Sequence, residues 1–94
     1  MKKIKMEIYE EYAEMLKVMA HPIRLLIVKH LSQNGDLNVS NIQELVGIPQ
    51  PTVSSHLAKL KRSKVLKSRR VGTEIYYMID SPKAKEIIKI LFGE

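Results

Sequence analysis

A predominantly helical α+β domain is what this chain of 94 residues predicts. Three observations carry that expectation. Apolar residues recur at helical spacing from the N-terminus to about Arg62, the period shortens to two between Val65 and Ile79, and a helical stripe returns after Pro82. A chain this short, 45% hydrophobic, has material for one core and not for two, so residues 1–94 are expected to form a single domain. It has only five aromatic residues, so aliphatic packing must dominate.

The first helix is expected over Ile4 to Ala20, with Ile4, Ile8, Tyr12, Met15, Leu16 and Met19 on one face. Glu7, Glu10, Glu11 and Glu14 make its early part acidic, which suits the positive end of the helix dipole. His21-Pro22 breaks it, and Pro22 opens a second helix running from Ile23 to about Ser32. That helix is apolar on most sides and should lie at the centre of the fold. Asn34-Gly35 ends it, and Leu37-Asn38-Val39 can add one very short strand.

Ser40 to Lys61 reads as two short helices joined by a tight turn. Ser40 and Gln43 have capping-box spacing, and Ile42, Leu45 and Val46 form an apolar face. Gly47 suits the left-handed residue that closes a helix; Ile48-Pro49 carries the turn, and Pro51 suits the first position of the next helix. There Val53, Leu57 and Leu60 point one way, while Thr52, Ser55, His56 and Lys59 are expected to point the other. Donors and acceptors without acidic groups are what a helix needs to read base edges beside phosphates. Strands over Val65–Arg70 and Glu74–Ile79, joined through Val71-Gly72-Thr73, follow this helix directly and read as a wing. Ser81 caps a last helix with Pro82 in its first turn and Ala84, Ile87, Ile88 and Leu91 as its stripe. The order α-α-α-α-β-β-α is that of a winged helix-turn-helix.

The chain carries a net charge of +6, and the placement of that charge matters more than its size. From Leu45 through Thr73 there is no acidic residue, while Lys59, Lys61, Arg62, Lys64, Lys67, Arg69 and Arg70 supply seven cations. Removing those seven from +6 leaves the remainder one charge negative. The excess is concentrated beside the reading helix, as expected for a polyanionic partner rather than a solvated lysine face. The DNA-contacting set is therefore Gln50, Thr52, Ser54, Ser55, His56 and Lys59 on the helix, Lys61 and Arg62 at its end, and Lys67, Arg69, Arg70 and Thr73 on the wing. Both terminal helices carry more apolar surface than the core would consume. A homodimer through Ile4, Ile8, Tyr12, Met15, Ile87, Ile88, Leu91 and Phe92 follows, which also fits a two-fold reader of two half-sites.

These pieces resemble the ArsR/SmtB transcriptional repressors along nearly the whole chain. Ala20-His21-Pro22-Ile23-Arg24-Leu25, Thr52-Val53-Ser54-Ser55-His56-Leu57 with Leu60, and Arg69-Arg70-Val71-Gly72 with Tyr76-Tyr77 carry the resemblance. The Leu37-Asn38-Val39 and Pro49-Gln50 contexts and Glu74-Ile75-Tyr76-Tyr77 are similar to the PagR-type members. The resemblance implies a dimeric DNA-binding repressor that often controls its own promoter. It also implies where metal would bind, and there the sequence departs. Asn38 and Ser40 stand at the positions of the thiolate pair of metal-sensing members. In the other sensing pattern Asp80 is present, but Pro82 replaces the first histidine and no histidine follows.

No cofactor or metal is expected, and the effector, if one exists, is unassigned. There is no cysteine for thiol chemistry, no run that could cross a membrane, and Met1-Lys2-Lys3 leads into acidic residues rather than a signal peptide, so a cytoplasmic setting is expected. An enzyme is excluded for want of an activated nucleophile, paired carboxylates or a phosphate-cradling glycine loop. Two other classes stay open. One is an effector-responsive sensor with a non-thiolate ligand site, the other an architectural or RNA-binding winged helix. Among single residues, His56 is assigned to DNA, His21 to capping or packing, and the methionines to core or dimer interface.

Overall fold

The computed structural model describes residues 3–93, so the reading of Met1 and Lys2 lies outside the described residues. Five helices and three strands follow in the order α1 (Met6–Met19), α2 (Pro22–Asn34), β1 (Leu37–Asn38), α3 (Val39–Val46), α4 (Gln50–Arg62), β2 (Leu66–Val71), β3 (Glu74–Ile79) and α5 (Pro82–Phe92). The strands form one antiparallel sheet in the order β1-β3-β2, with Leu37 opposite Tyr77 and the hairpin pairing Leu66 with Ile79 and Val71 with Glu74. The short strand at Leu37 is thus present, and the winged helix is complete.

Caps decide several boundaries. His21 closes the start of α2 by accepting the Ile23 amide at Nδ1, 3.1 Å away, as a capping role requires. The capping box expected at Ser40 is not used. Asn38 caps α3 instead, its Oδ1 accepting the Asn41 amide at 2.8 Å, because the helix begins two residues earlier than a Ser40 cap implied. Gly47 ends α3 with φ 73 and ψ 24, the left-handed residue expected there. Ser81 caps α5 through the Ala84 amide at 3.1 Å. The end of α4 is less obvious from composition. Lys64 takes the left-handed conformation, φ 66, while its amide reaches the Lys61 carbonyl and the Val65 amide reaches Leu60. That is the double-bonded helix stop usually given to glycine, held here by burial of Leu60 and Val65 on either side of it.

The core runs through the middle of the molecule. Ile27, Val28 and Leu31 of α2 meet Ile42 of α3, Val53, Leu57 and Leu60 of α4, Val65 and Leu66 entering the wing, and Ala84 and Ile88 of α5. α2 is the central helix, as its apolar composition implied. α1 contributes only its end, Val18 and Met19, and its start lies two residues later than expected, leaving Ile4 outside the helix. Extents of 53 × 28 × 21 Å and a radius of gyration of 14.3 Å exceed the roughly 12 Å of a rounded domain of this length. Of the two terminal helices, α5 packs into this core through Ala84 and Ile88, whereas α1 reaches it only with its end.

Candidate nucleic-acid interface

α4 is fixed by its apolar side. Val53, Leu57 and Leu60 are each wholly buried, so the opposite side must face outward. Thr52, Ser55, Lys59 and Arg62, spaced at i, i+3, i+7 and i+10, form that outward stripe, and all are exposed. Gln50 and Ser54 are exposed at the N-terminal end, with Lys61 on a flank. Pro49 is the N-cap and makes no side-chain bond, so Gln50 sits inside the first turn rather than before it. The polar end of α4 is therefore open, uncharged and accessible, with cations behind it.

His56 does not join this stripe. It stands at i+3 from Val53 and i+4 from Thr52, at the edge of the buried rail, and is half-buried. Its Nδ1 accepts from Nε of Arg24 at 3.1 Å, and its ring lies 4.6 Å from that of His21. Burial first, then the charges of His21, Arg24 and Lys59, hold its pKa below the usual imidazole range. The expectation that His56 is exposed is corrected: it is half-buried and ties α4 to α2. The residues 53, 56, 57 and 60 already follow the spacing of one helix face, and that spacing was the available signal.

The wing presents cations unequally. Arg69 lies across from Tyr76 in the hairpin, and its Nη2 sits 2.9 Å from Asp36, just ahead of β1. Lys67 lies 4.0 Å from Asp80. Arg70, on the other face, donates from Nε to the Gly72 carbonyl at the tip, beside exposed Thr73. Among the described residues, Lys59, Lys61, Arg62, Lys64 and Arg70 have no carboxylate within 4.0 Å. Asp36 and Asp80 fall outside the acid-free stretch in sequence but inside its reach in space, so counting charge along the chain overstated the field of the wing.

The expected dimer face divides. Ile8, Tyr12, Leu91 and Phe92 are exposed on the terminal helices, as is Ile4 ahead of α1. Ile87 is half-buried against the core. Ile88 is a core residue, only 3% exposed, and is corrected from interface to core. Met15 is half-buried, its sulfur receiving the Ser81 hydroxyl at 3.6 Å, so much of its surface is used inside the chain. Tyr12, Met15, Leu16, Pro82, Lys83, Glu86 and Ile87 line an open groove of about 510 Å³ between α1 and α5.

Three of the residues at the positions expected for metal are engaged otherwise. Asn38 spends its oxygen on the α3 cap, Asp80 faces Lys67, and Pro82 occupies the first turn of α5. Among the described residues no three His, Asp or Glu side chains gather as a ligand set. No described helix is long and apolar enough to cross a membrane.

Residues 21–68 match the model of the arsR family of bacterial regulatory proteins. The transcriptional repressor PagR of Bacillus anthracis is 54% identical over 87% of this chain and 82% of its own length. An HTH-type transcriptional regulator of Methanocaldococcus jannaschii is 43% identical over 92% of the chain and 97% of its own. The crystal structure of PagR superposes with a TM-score of 0.86, covering 93% of this chain and 99% of that one at 50% identity. A homodimeric winged helix-turn-helix DNA-binding domain from Mycobacterium bovis does so with a TM-score of 0.85 at 27% identity, over 97% and 83% of the two chains. With the match to the family model spanning α2 through the start of the wing, the chain belongs to the ArsR family of winged helix-turn-helix transcriptional regulators.

Proposed function

We propose that the protein is a sequence-specific repressor that binds double-stranded DNA as a homodimer, with one α4 in each of two successive major grooves and without metal control. The observation that carries this is the orientation of α4. Its rail of Val53, Leu57 and Leu60 is buried, so Gln50, Thr52, Ser54 and Ser55 are turned outward together. Glutamine can pair with adenine through two hydrogen bonds, and a threonine methyl can touch thymine. Lys59, Lys61 and Arg62 behind them, and Arg70 at the wing tip, supply phosphate contacts that hold the register. Relatives named as repressors support the direction of regulation.

The dimer is supported by the exposed apolar residues gathered at the two ends of the chain, Ile4, Ile8, Tyr12 and Leu16 with Leu91 and Phe92, against three between them, Leu45, Val71 and Ile75, and by the homodimeric relative from M. bovis. Two copies joined this way present two reading helices to half-sites about 34 Å apart, an inverted repeat. Selection of bound duplexes from a random pool tests the whole reading. It should return an inverted repeat with half-site centres one helical turn apart, bound equally with and without a chelator. Enrichment of no sequence over another, or loss of binding on chelation, would falsify it.

A further inference from the structure

Beneath α4 one guanidinium holds three helices together. Arg24, in the first turn of α2, donates from Nη1 to the carbonyl of Val18 at the end of α1 and from Nε to Nδ1 of His56 midway along α4, each at 3.1 Å. An imidazole nitrogen that accepts carries no proton, so His56 is neutral here, with its hydrogen on Nε2. His21, packed against it, is engaged in the same way, its Nδ1 accepting the Ile23 amide.

We propose that Arg24 is a positioning residue for DNA reading: it clasps α4 against α1 and α2, and the clasp closes only while His56 is neutral. The proposal rests on α4 being the DNA-reading helix. The apolar rail of α4 is non-directional and permits a small roll. A hydrogen bond from a helix-spanning guanidinium is directional and opposes it. Side-chain tips lie about 5 Å from a helix axis, so a roll of about 20° moves Thr52 and Ser55 by about 2 Å. That displacement is enough to lose a hydrogen bond to a base edge.

Protonation of His56 would place a donor against a donor. It would also add a cation among groups that cannot accommodate one: Arg24 and His21 of α2, Lys59 of α4, and Lys17 of α1 with Arg62 around the adjoining cleft, where Glu14 is the one carboxylate. The lowered pKa of His56 agrees in sign. Between that value and the 6.5 of a free imidazole the unfolded chain binds more protons than the folded one. Closure of the clasp is therefore favoured at higher pH and lost as pH falls through that interval.

The test uses two variants and two duplexes. His56→Asn keeps an acceptor at the place of Nδ1 and does not titrate. Arg24→Met keeps aliphatic bulk and removes both donors. Affinity is measured by fluorescence anisotropy, at constant ionic strength, for the duplex that the wild type enriches from a random pool and for a duplex of random sequence. From about pH 7.5 to about pH 5.5 the wild type should lose roughly tenfold for the enriched duplex and little for the random one. His56→Asn should hold its affinity across that range. Arg24→Met should be about tenfold weaker for the enriched duplex at both pH values while keeping its nonspecific affinity, and Arg24→Lys, too short a fork for both acceptors, should not rescue it. Equal pH slopes in the wild type and His56→Asn overturn the proposal. So does a slope that survives in His56→Asn and vanishes in His21→Asn, which would move the device to His21. Histidine-ring 15N spectra give a readout independent of DNA: Nδ1 of His56 should be unprotonated at neutral pH, and finding the proton there overturns the clasp. If the pool yields no enriched duplex, the DNA reading fails, while those spectra and the pH dependence of Tm in wild type and His56→Asn still decide the clasp.

Discussion

α4 and α1 are amphipathic helices of nearly equal length, 13 and 14 residues, with opposite fates. The apolar rail of α4 vanishes into its own chain. That of α1 stays in view: Ile8 is 48% exposed and Leu16 51%, and only Val18 and Met19 at the helix end are buried. Helical spacing of apolar residues promises a covered face; it does not say by what. For α4 the cover is the central helix α2, α3 and the entry to the wing. For α1 the described residues provide little cover beyond the end of the helix, the Ser81 contact at Met15 and Lys83 over the Tyr12 ring.

The sharpest way to break this comparison is to shorten the rail of each helix. Leu57→Ala removes a wholly buried side chain and should cost about 2–5 kcal/mol, a large share of the roughly 5–15 kcal/mol that holds a small domain together. Denaturant melts at low protein concentration, where monomer dominates, should show that loss, whereas Leu16→Ala there should cost well under half as much. Similar losses in both variants would mean that α1 is covered by its own chain after all.

The next effect lies in association rather than folding. Leu91→Glu should produce folded monomers, because an unpaired charge at a dry interface costs several kcal/mol while an exposed one in the free monomer costs little. Ile88→Glu three residues earlier should unfold the chain instead, because Ile88 is core. Sedimentation together with circular dichroism separates the two outcomes. A wild type that sediments as a monomer at micromolar concentration removes the dimer from the comparison altogether.

These contrasts also show how far the residues themselves led. The winged-helix order, the left-handed Gly47, the Ser81 cap and the hairpin were legible, because each depends on neighbours within a few positions. What escaped was set across the fold. Asn38 outcompeted Ser40 as cap, a choice between two sound local solutions two residues apart. Ile88 and Leu91 belong to one stripe in sequence, yet only the first of them is buried. Arg69 met an aspartate 33 residues away, which no window of local charge could reveal. His56 looked like a polar reading residue by type, although its spacing from Val53, Leu57 and Leu60 already set it at the edge of the inward face, where Arg24 binds it.

On the outward side of α4 smaller effects are expected. Thr52→Ala and Ser55→Ala each remove an exposed side chain, so melting temperatures should stay near that of the wild type. If each makes one good base contact, affinity for the selected duplex should fall by about 1–3 kcal/mol with little change on random DNA. An unchanged ratio of specific to nonspecific binding in both variants would turn the outward stripe of α4 into a solvated surface.

The smallest effect compares the two neighbouring arginines of the wing. Arg69 is already bound to Asp36, with their side chains 59% and 40% exposed, and such surface pairs are worth only about 0–1 kcal/mol. A phosphate can therefore take Arg69 from Asp36, but the exchange gives up the first partner and releases less net counterion charge. Among the described residues Arg70 has no carboxylate within 4.0 Å, and it donates to the Gly72 carbonyl at the wing tip. Arg70→Ala should consequently lower the salt slope of binding by about one, equally for selected and random duplexes, while Arg69→Ala lowers it by less. Asp36→Ala should act in the opposite sense, freeing Arg69 and steepening the slope. Matching slopes for the two arginine variants, with no change in Asp36→Ala, would show that the Asp36 pair has no hold on the cation and that charge along the chain is the better guide to the wing.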